Sequence, residues 1–266
     1  MGKRQADGGT NESTGFGYTP KINTMSKYDI YLYENSNILK NKLNITDEEE
    51  LDQTETDLAK ANMLLLYESG YDNFSAEGIC EIHKRLFGDI YEWAGEYRSI
   101  NIQKRESILA GKSVWYSNWD TIDDDLKAAW KKINSVDWQS LSHDDFAKAI
   151  AHLFPAVWQT HPFREGNTRT TVMMIALFVE HYGYYFDYEL MAASAGYVRN
   201  AFVLCCFGEH SEFEHLEKIL TDAISETPIE DYEDETETDS KTSKYEKYQT
   251  KDYKPTPHEY VSDENE

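Results

Sequence analysis

A mainly α-helical fold is what this sequence predicts. Apolar residues recur at spacings of three and four through the middle of the chain, and Ser and Asp stand where such runs begin. Only one stretch, near residue 100, has a strand-like character. Taken in order, Leu51 to Glu68 places Leu51, Leu58, Ala61 and Leu65 on one helical face. Ser75 stands as an N-cap before Ala76 to Phe87, where Ile79, Ile82 and Leu86 repeat. Tyr97 to Gln103, with a partner over Ser107 to Trp115, reads as a short β-hairpin set on the helical body. Asp120 to Ile133 carries Ile122, Leu126, Ala129, Trp130 and Ile133. Ser142-His143-Asp144-Asp145 opens the next helix in the manner of a capping box, with Phe146, Ile150, Leu153 and Phe154 on its face. Pro155 is expected to kink or end it. Thr170 to His181 is an apolar helix closed by Gly183. Glu189 to Phe207 and Ser211 to Ile224 supply two more, and there is no internal repeat.

Composition bounds the function. The chain has 266 residues and a net charge of −23, which argues against a nucleic-acid surface. No apolar run is long enough for a membrane span, and Met1 to Gly9 lacks the apolar core of a signal peptide. Cys80, Cys205 and Cys206 make a poor disulfide framework, so a reduced, cytoplasmic protein is expected, with delivery into a host cell left open. Cys205 and Cys206 read as core. Residues 1–24 read as a flexible leader, 25–225 as one domain, and 226–266 as a disordered tail. That tail holds 14 acidic and 5 basic residues, with tyrosines as most of its apolar content. His83, His143, His152, His181, His210 and His215 read as structural, and Trp93, Tyr97, Trp115, Trp119 and Trp130 as packing.

The chemistry concentrates in His161-Pro162-Phe163-Arg164-Glu165-Gly166-Asn167-Thr168-Arg169. His161 can accept a proton near neutral pH. Glu165 is a hard oxygen ligand suited to Mg²⁺. Gly166 allows close backbone approach, and Asn167 and Arg169 can hydrogen-bond phosphate oxygens. An apolar helix follows, so Gly166-Asn167-Thr168 lies at a helix N-terminus, where free N–H groups favour anions. A base, a metal ligand and an anion nest in one turn point to transfer of a phosphate-containing group.

The run resembles the signature H-P-F-x-(D/E)-G-N-G-R of the Fic family, and Ile82 to Arg98 is similar to the segment that precedes the family's flap. The resemblance spans roughly Tyr28 to Leu220. It implies a Fic-type helical bundle with a hairpin flap beside the active site, and transfer of AMP from ATP to a Tyr, Ser or Thr hydroxyl of a protein target. It assigns His161 as base and Glu165 as holder of Mg²⁺. Arg164, Gly166, Asn167, Thr168 and Arg169 would bind the nucleotide, with Asn167 and Arg169 also catalytic. Phe163 would anchor the loop in the core. Ile100, Asn101, Ile102, Ser107, Ile108 and Leu109 would be the flap residues that bind an extended target segment as an added strand.

Two positions depart from the family pattern. Thr168 stands where Gly is usual, or Lys in the related Doc proteins; AMP transfer is favoured over phosphorylation. Val172 stands where a second Arg is frequent, which weakens the expected grip on ATP. Transfer of UMP, phosphate or phosphocholine therefore remains an alternative, as does a degenerate Fic fold used as a binding module. The family's inhibitory signature S/T-x-x-x-E-G/N has only a partial match, Thr46 to Glu50 followed by Leu51, which reads better as a helix-start cap. Restraint is thus expected from a separate small antitoxin chain, or not at all. Target and oligomeric state are not legible.

Overall fold

Helix α5 (Asn167–His181) is buried around nearly its whole circumference, from Thr170 to Val179. The rest of the fold covers it. The computed structural model describes residues 29–229 and 247–249, so the leader and most of the tail lie outside the described residues. The helices are α1 (Glu48–Glu68), α2 (Ala76–Phe87), α3 (Ile122–Ile133), α4 (His143–Thr160), α5, α6 (Tyr188–Ala193), α7 (Ala195–Cys205) and α8 (Glu214–Ala223). Helix α4 packs on α3, α5 and α8, and α2 packs on α1 and α5. Phe146, Phe154, Trp138 and Phe178 interlock through edge-to-face and stacked ring contacts at the centre.

Capping residues set the helix starts. Asp47, Ser75 and Ser142 accept hydrogen bonds from the N–H groups of Glu50, Gly78 and Asp145. Gly183 follows the end of α5 with φ +88°. Cys205 and Cys206 are buried free thiols, as expected.

The structure corrects four expectations. The buried face of α1 is Leu51, Glu55, Ala59 and Leu66; Leu58 is only half-buried, Ala61 is exposed, and Leu65 is 64% exposed. A charged residue joins that face because its partners lie elsewhere in the chain, as described below. Helix α4 runs through Pro155 and ends nearby, at Thr160. The helix expected over 189–207 is broken at Ser194 into α6 and α7. Trp115 and Trp119 are exposed, not packed. Segment 97–115 forms no ladder: a 3₁₀ turn, Ser107–Leu109, and left-handed Ala110 and Gly111 fold its second half back instead of pairing it. The two-stranded antiparallel sheet lies elsewhere, joining β1 (Tyr185–Phe186) to β2 (Ile224–Ser225). In the tail, Tyr248 is buried against α8, its hydroxyl donating to Asp222 at 2.6 Å.

Candidate functional site

Helix α4 ends at Thr160 and α5 begins at Asn167, so residues 161–166 form one turn between two core helices. His161 takes the left-handed conformation at φ 47°, capping α4 with its N–H on the Trp158 carbonyl. Gly166 makes the second reversal at φ 81°. A Cβ on Gly166 would lie 2.5 Å from the Phe87 ring. Gly166→Ala therefore combines left-handed strain with overpacking and is expected to destabilise by about 2–3 kcal/mol in urea unfolding. An unchanged midpoint would contradict this.

Two side chains shape the turn from within. Asn167 accepts from the Phe163 N–H at 2.9 Å and donates to the Phe163 carbonyl at 2.8 Å. Its oxygen and one amide N–H are thus engaged by the backbone of the turn. The Phe163 ring is buried and stacks on His83, with centroids 3.7 Å apart. His83 is itself fixed as one tautomer. Its Nδ1 accepts from the Gly95 N–H, so Nε2 carries the proton and donates to the Glu165 carbonyl at 3.0 Å.

Arg98 holds the turn from outside. It is buried without a carboxylate partner among the described residues, and it donates to the carbonyls of His161, Ile100, Ser117 and Thr160. Its own N–H reaches the Pro162 carbonyl at 2.8 Å. Burial lowers its pKa to about 10, so it stays charged at neutral pH.

The His161 ring is 2% exposed and stacks under Tyr116 at 4.0 Å. Neither ring nitrogen has a hydrogen-bond partner among the described residues. Burial, then the charges of Lys104, Arg98 and Arg199, hold its pKa well below the ordinary value. It is a neutral imidazole with free lone-pair capacity. Burial pushes the Glu165 carboxyl up, but Lys104, the Gly166 N–H and Arg169 outweigh this and hold it below the usual range. Lys104 Nζ lies 3.3 Å from Glu165 Oε2, and the Gly166 N–H donates to Oε1 at 3.1 Å.

A pH dependence of stability follows. Burial lowers the pKa of His83 to about 3, and that of His161 is lowered as well. Both stay neutral in the folded chain while the unfolded chain binds protons below about 6.5. Stability is complete above that pH and falls below it, by up to about 1.4 kcal/mol per pH unit for each ring. For His83 the loss continues toward pH 3. Thermal melts between neutral and acid pH should show this slope, and His83→Gln should reduce it; a flat profile would contradict it.

The remaining motif residues point to different places. Arg164 turns away to Asp29, with Nε to Oδ2 at 2.7 Å. Arg169 pairs with Glu55 of α1 and lies over the Phe87 ring. Glu55 also accepts from the Tyr91 hydroxyl, which explains its burial. Thr168 is the second residue of α5 with ordinary helical backbone, so its Cβ brings no strain. Its hydroxyl accepts from Trp158 Nε1 at 2.9 Å. Among the described residues, no side chain caps the first turn of α5.

Among the expected flap residues, Asn101 to Ile102 continue through Arg105 with no backbone group bonded among the described residues. Asn101, Gln103 and Arg105 face solvent while Ile102, Lys104 and Glu106 turn inward. The Ile100 carbonyl is taken by Arg98, Ile108 is half-buried, Ser107 is exposed and Leu109 is buried. The strand-like alternation is real; among the described residues it has no pairing partner.

A single ionised carboxylate at a helix N-terminus fits a Mg²⁺ that arrives with phosphate oxygens as its other ligands. The described residues contain no group of three His, Cys, Asp or Glu that would hold an ion by themselves. Sequence reading did not single out Arg98, Lys104, Tyr116, Glu106 or Arg199; it read His83 as structural, in keeping with its burial against Phe163. His83 and Arg98 fall in the quoted segment Ile82 to Arg98, the one signal that pointed to them. No helix among the described residues is long and apolar enough to cross a membrane.

Residues 73–179, which include the whole turn, match the family model described as Fic/DOC family. The chain is 27% identical over 202 residues to a protein adenylyltransferase of Bartonella henselae, covering 72% of this chain and 36% of that protein. It is 27% identical over 167 residues to a probable protein adenylyltransferase y4lH of Sinorhizobium fredii, covering 60% of this chain and 79% of that one. The chain thus spans about a third of the length of the Bartonella henselae protein. Its fold superposes with TM-score 0.64 on the N-terminal Fic domain of a putative cell filamentation protein from Bartonella quintana, at 25% identity over 73% of this chain and 91% of that one. The turn between α4 and α5, the helices that frame it and these matches agree: residues 73–179 carry a Fic/DOC family match within a Fic-type fold.

Proposed function

We propose that this chain is a protein adenylyltransferase that moves AMP from ATP to a Tyr, Ser or Thr hydroxyl of a protein. The observation that carries the reading is a neutral imidazole and an ionised carboxylate on one turn that opens onto an uncapped helix N-terminus. The names of the relatives from Bartonella henselae and Sinorhizobium fredii support the same group transfer.

The acceptor oxygen would bond to the α-phosphorus while the bond from that phosphorus to the bridging oxygen of the β-phosphate breaks. Pyrophosphate leaves, and the acceptor proton goes to a ring nitrogen of His161. The N–H groups of the first turn of α5 would face the phosphates. Glu165 would hold Mg²⁺, which supplies neutralisation of charge on the phosphate oxygens. Lys104 would then exchange its carboxylate partner for a phosphate. Asn167 and Gly166 fix the turn, and Arg169, anchored by Glu55, serves the site from the α1 side. Since Tyr116 covers His161, the acceptor reaches the ring only after that side chain moves. The unpaired edge from Asn101 to Arg105 would take an extended target segment by main-chain hydrogen bonds, which demands little of its sequence.

Incubation with Mg²⁺-ATP labelled on either the α- or the γ-phosphate tests the reading. Label retained on protein from the α position alone supports adenylylation. Label from the γ position means phosphorylation, and no label with nucleotide still bound means a binding module.

A further inference from the structure

We propose that Arg199 is a polyphosphate-binding residue of this site, and that Glu106 holds it in reserve by filling its guanidinium fork with a carboxylate. The inference deepens the adenylyltransferase reading and rests on it. Arg199 Nη1 and Nη2 lie 2.5 and 2.9 Å from Glu106 Oε2 and Oε1, a bidentate pairing. A phosphate presents the same pair of oxygens to the same fork.

The placement argues for exchange. Arg199, on α7, is close enough for its charge to act on both the His161 ring and Glu165. Its side chain is 37% exposed, whereas that of Glu106 is 2% exposed. An anion entering from solvent therefore meets the guanidinium, not the carboxylate. Glu106 sits where the unpaired edge ends, tied to the turn by its N–H on the Lys112 carbonyl. The Tyr116 hydroxyl donates to Glu106 Oε1 at 3.3 Å, and the Tyr116 ring covers His161. Drawing Glu106 off Arg199 thus also frees the side chain that shields the base. Lys104 repeats the pattern, held by Glu165 until a phosphate takes the carboxylate's place.

Calorimetric titration of the full chain with Mg²⁺-ATP and, separately, with AMP is the test. Glu106→Gln should tighten Mg²⁺-ATP binding by about tenfold, since a neutral amide releases the fork. The double variant Glu106→Gln, Arg199→Gln should lose that gain and fall about tenfold or more below the single variant. It replaces the pair by neutral groups of similar shape, so no buried charge is left alone and the fold is kept. AMP, which lacks the β- and γ-phosphates, should bind all three proteins alike. Equal ATP affinity in the single and double variants would overturn the proposal while leaving the adenylyltransferase reading intact. If neither nucleotide binds any of the proteins, including the wild type, the reading itself fails and the proposal with it.

Discussion

His161→Asn is expected to abolish label transfer from α-labelled ATP, by about 10²–10⁴-fold, while leaving Mg²⁺-ATP affinity within a few-fold of wild type. The choice of asparagine follows from the backbone. Position 161 sits at φ 47°, which Asn tolerates better than Ala. The ring contributes no hydrogen bond among the described residues, so its loss removes none from the fold. What it does supply is a neutral nitrogen whose pKa burial and three nearby cations hold low. That nitrogen stays unprotonated even in mildly acid solution, so the acid limb of the transfer rate should not follow an ordinary histidine titration. Transfer at wild-type rate in His161→Asn would remove the base from the mechanism.

Arg98→Ala is expected to cost about 3–5 kcal/mol of stability, read as a lowered urea midpoint, because it strips a buried cation from carbonyls that have lost their water. The side chain joins the Ile100 and Ser117 carbonyls of the flap region to those of Thr160 and His161 at the end of α4. Lysine carries the charge but not the planar fork, so Arg98→Lys should recover only part of the loss. Transfer should fall in both variants beyond what unfolding explains, since the left-handed turn at His161 is held through its carbonyl. A shift in Arg98→Ala of under about 1 kcal/mol, the size of an ordinary surface change, would contradict this role.

The helices were legible because their signals are local. Ser75, Ser142 and Gly183 act through bonds or backbone angles within a few residues, and the apolar spacing of α2, α3 and α4 matches their buried faces. The turn between α4 and α5 was legible for the same reason: imidazole, carboxylate and helix start lie within nine consecutive residues. What was lost depends on distant partners. Glu55 looks like a solvent-facing charge until Arg169, 114 residues on, and Tyr91 are brought to it. Alternation after Tyr97 carries into the alternating burial of 101–106, but a ladder needs a second extended segment, and Ala110 and Gly111 turn the chain instead. Glu106 and Arg199 meet across 93 residues, and neither neighbourhood in sequence marks them as a pair. The left-handed position of the turn is Gly166, two residues before Thr168, which is already helical.

Intact-mass spectrometry of the full chain and its peptides, after incubation with Mg²⁺-ATP, tests the central claim most directly: that the imidazole and the turn behind it act on one bound nucleotide. The account predicts a gain of one AMP on a Tyr, Ser or Thr hydroxyl, absent from His161→Asn. A gain of one phosphate, the same gain in His161→Asn, or unchanged mass in a protein that leaves every co-incubated protein unlabelled would contradict it.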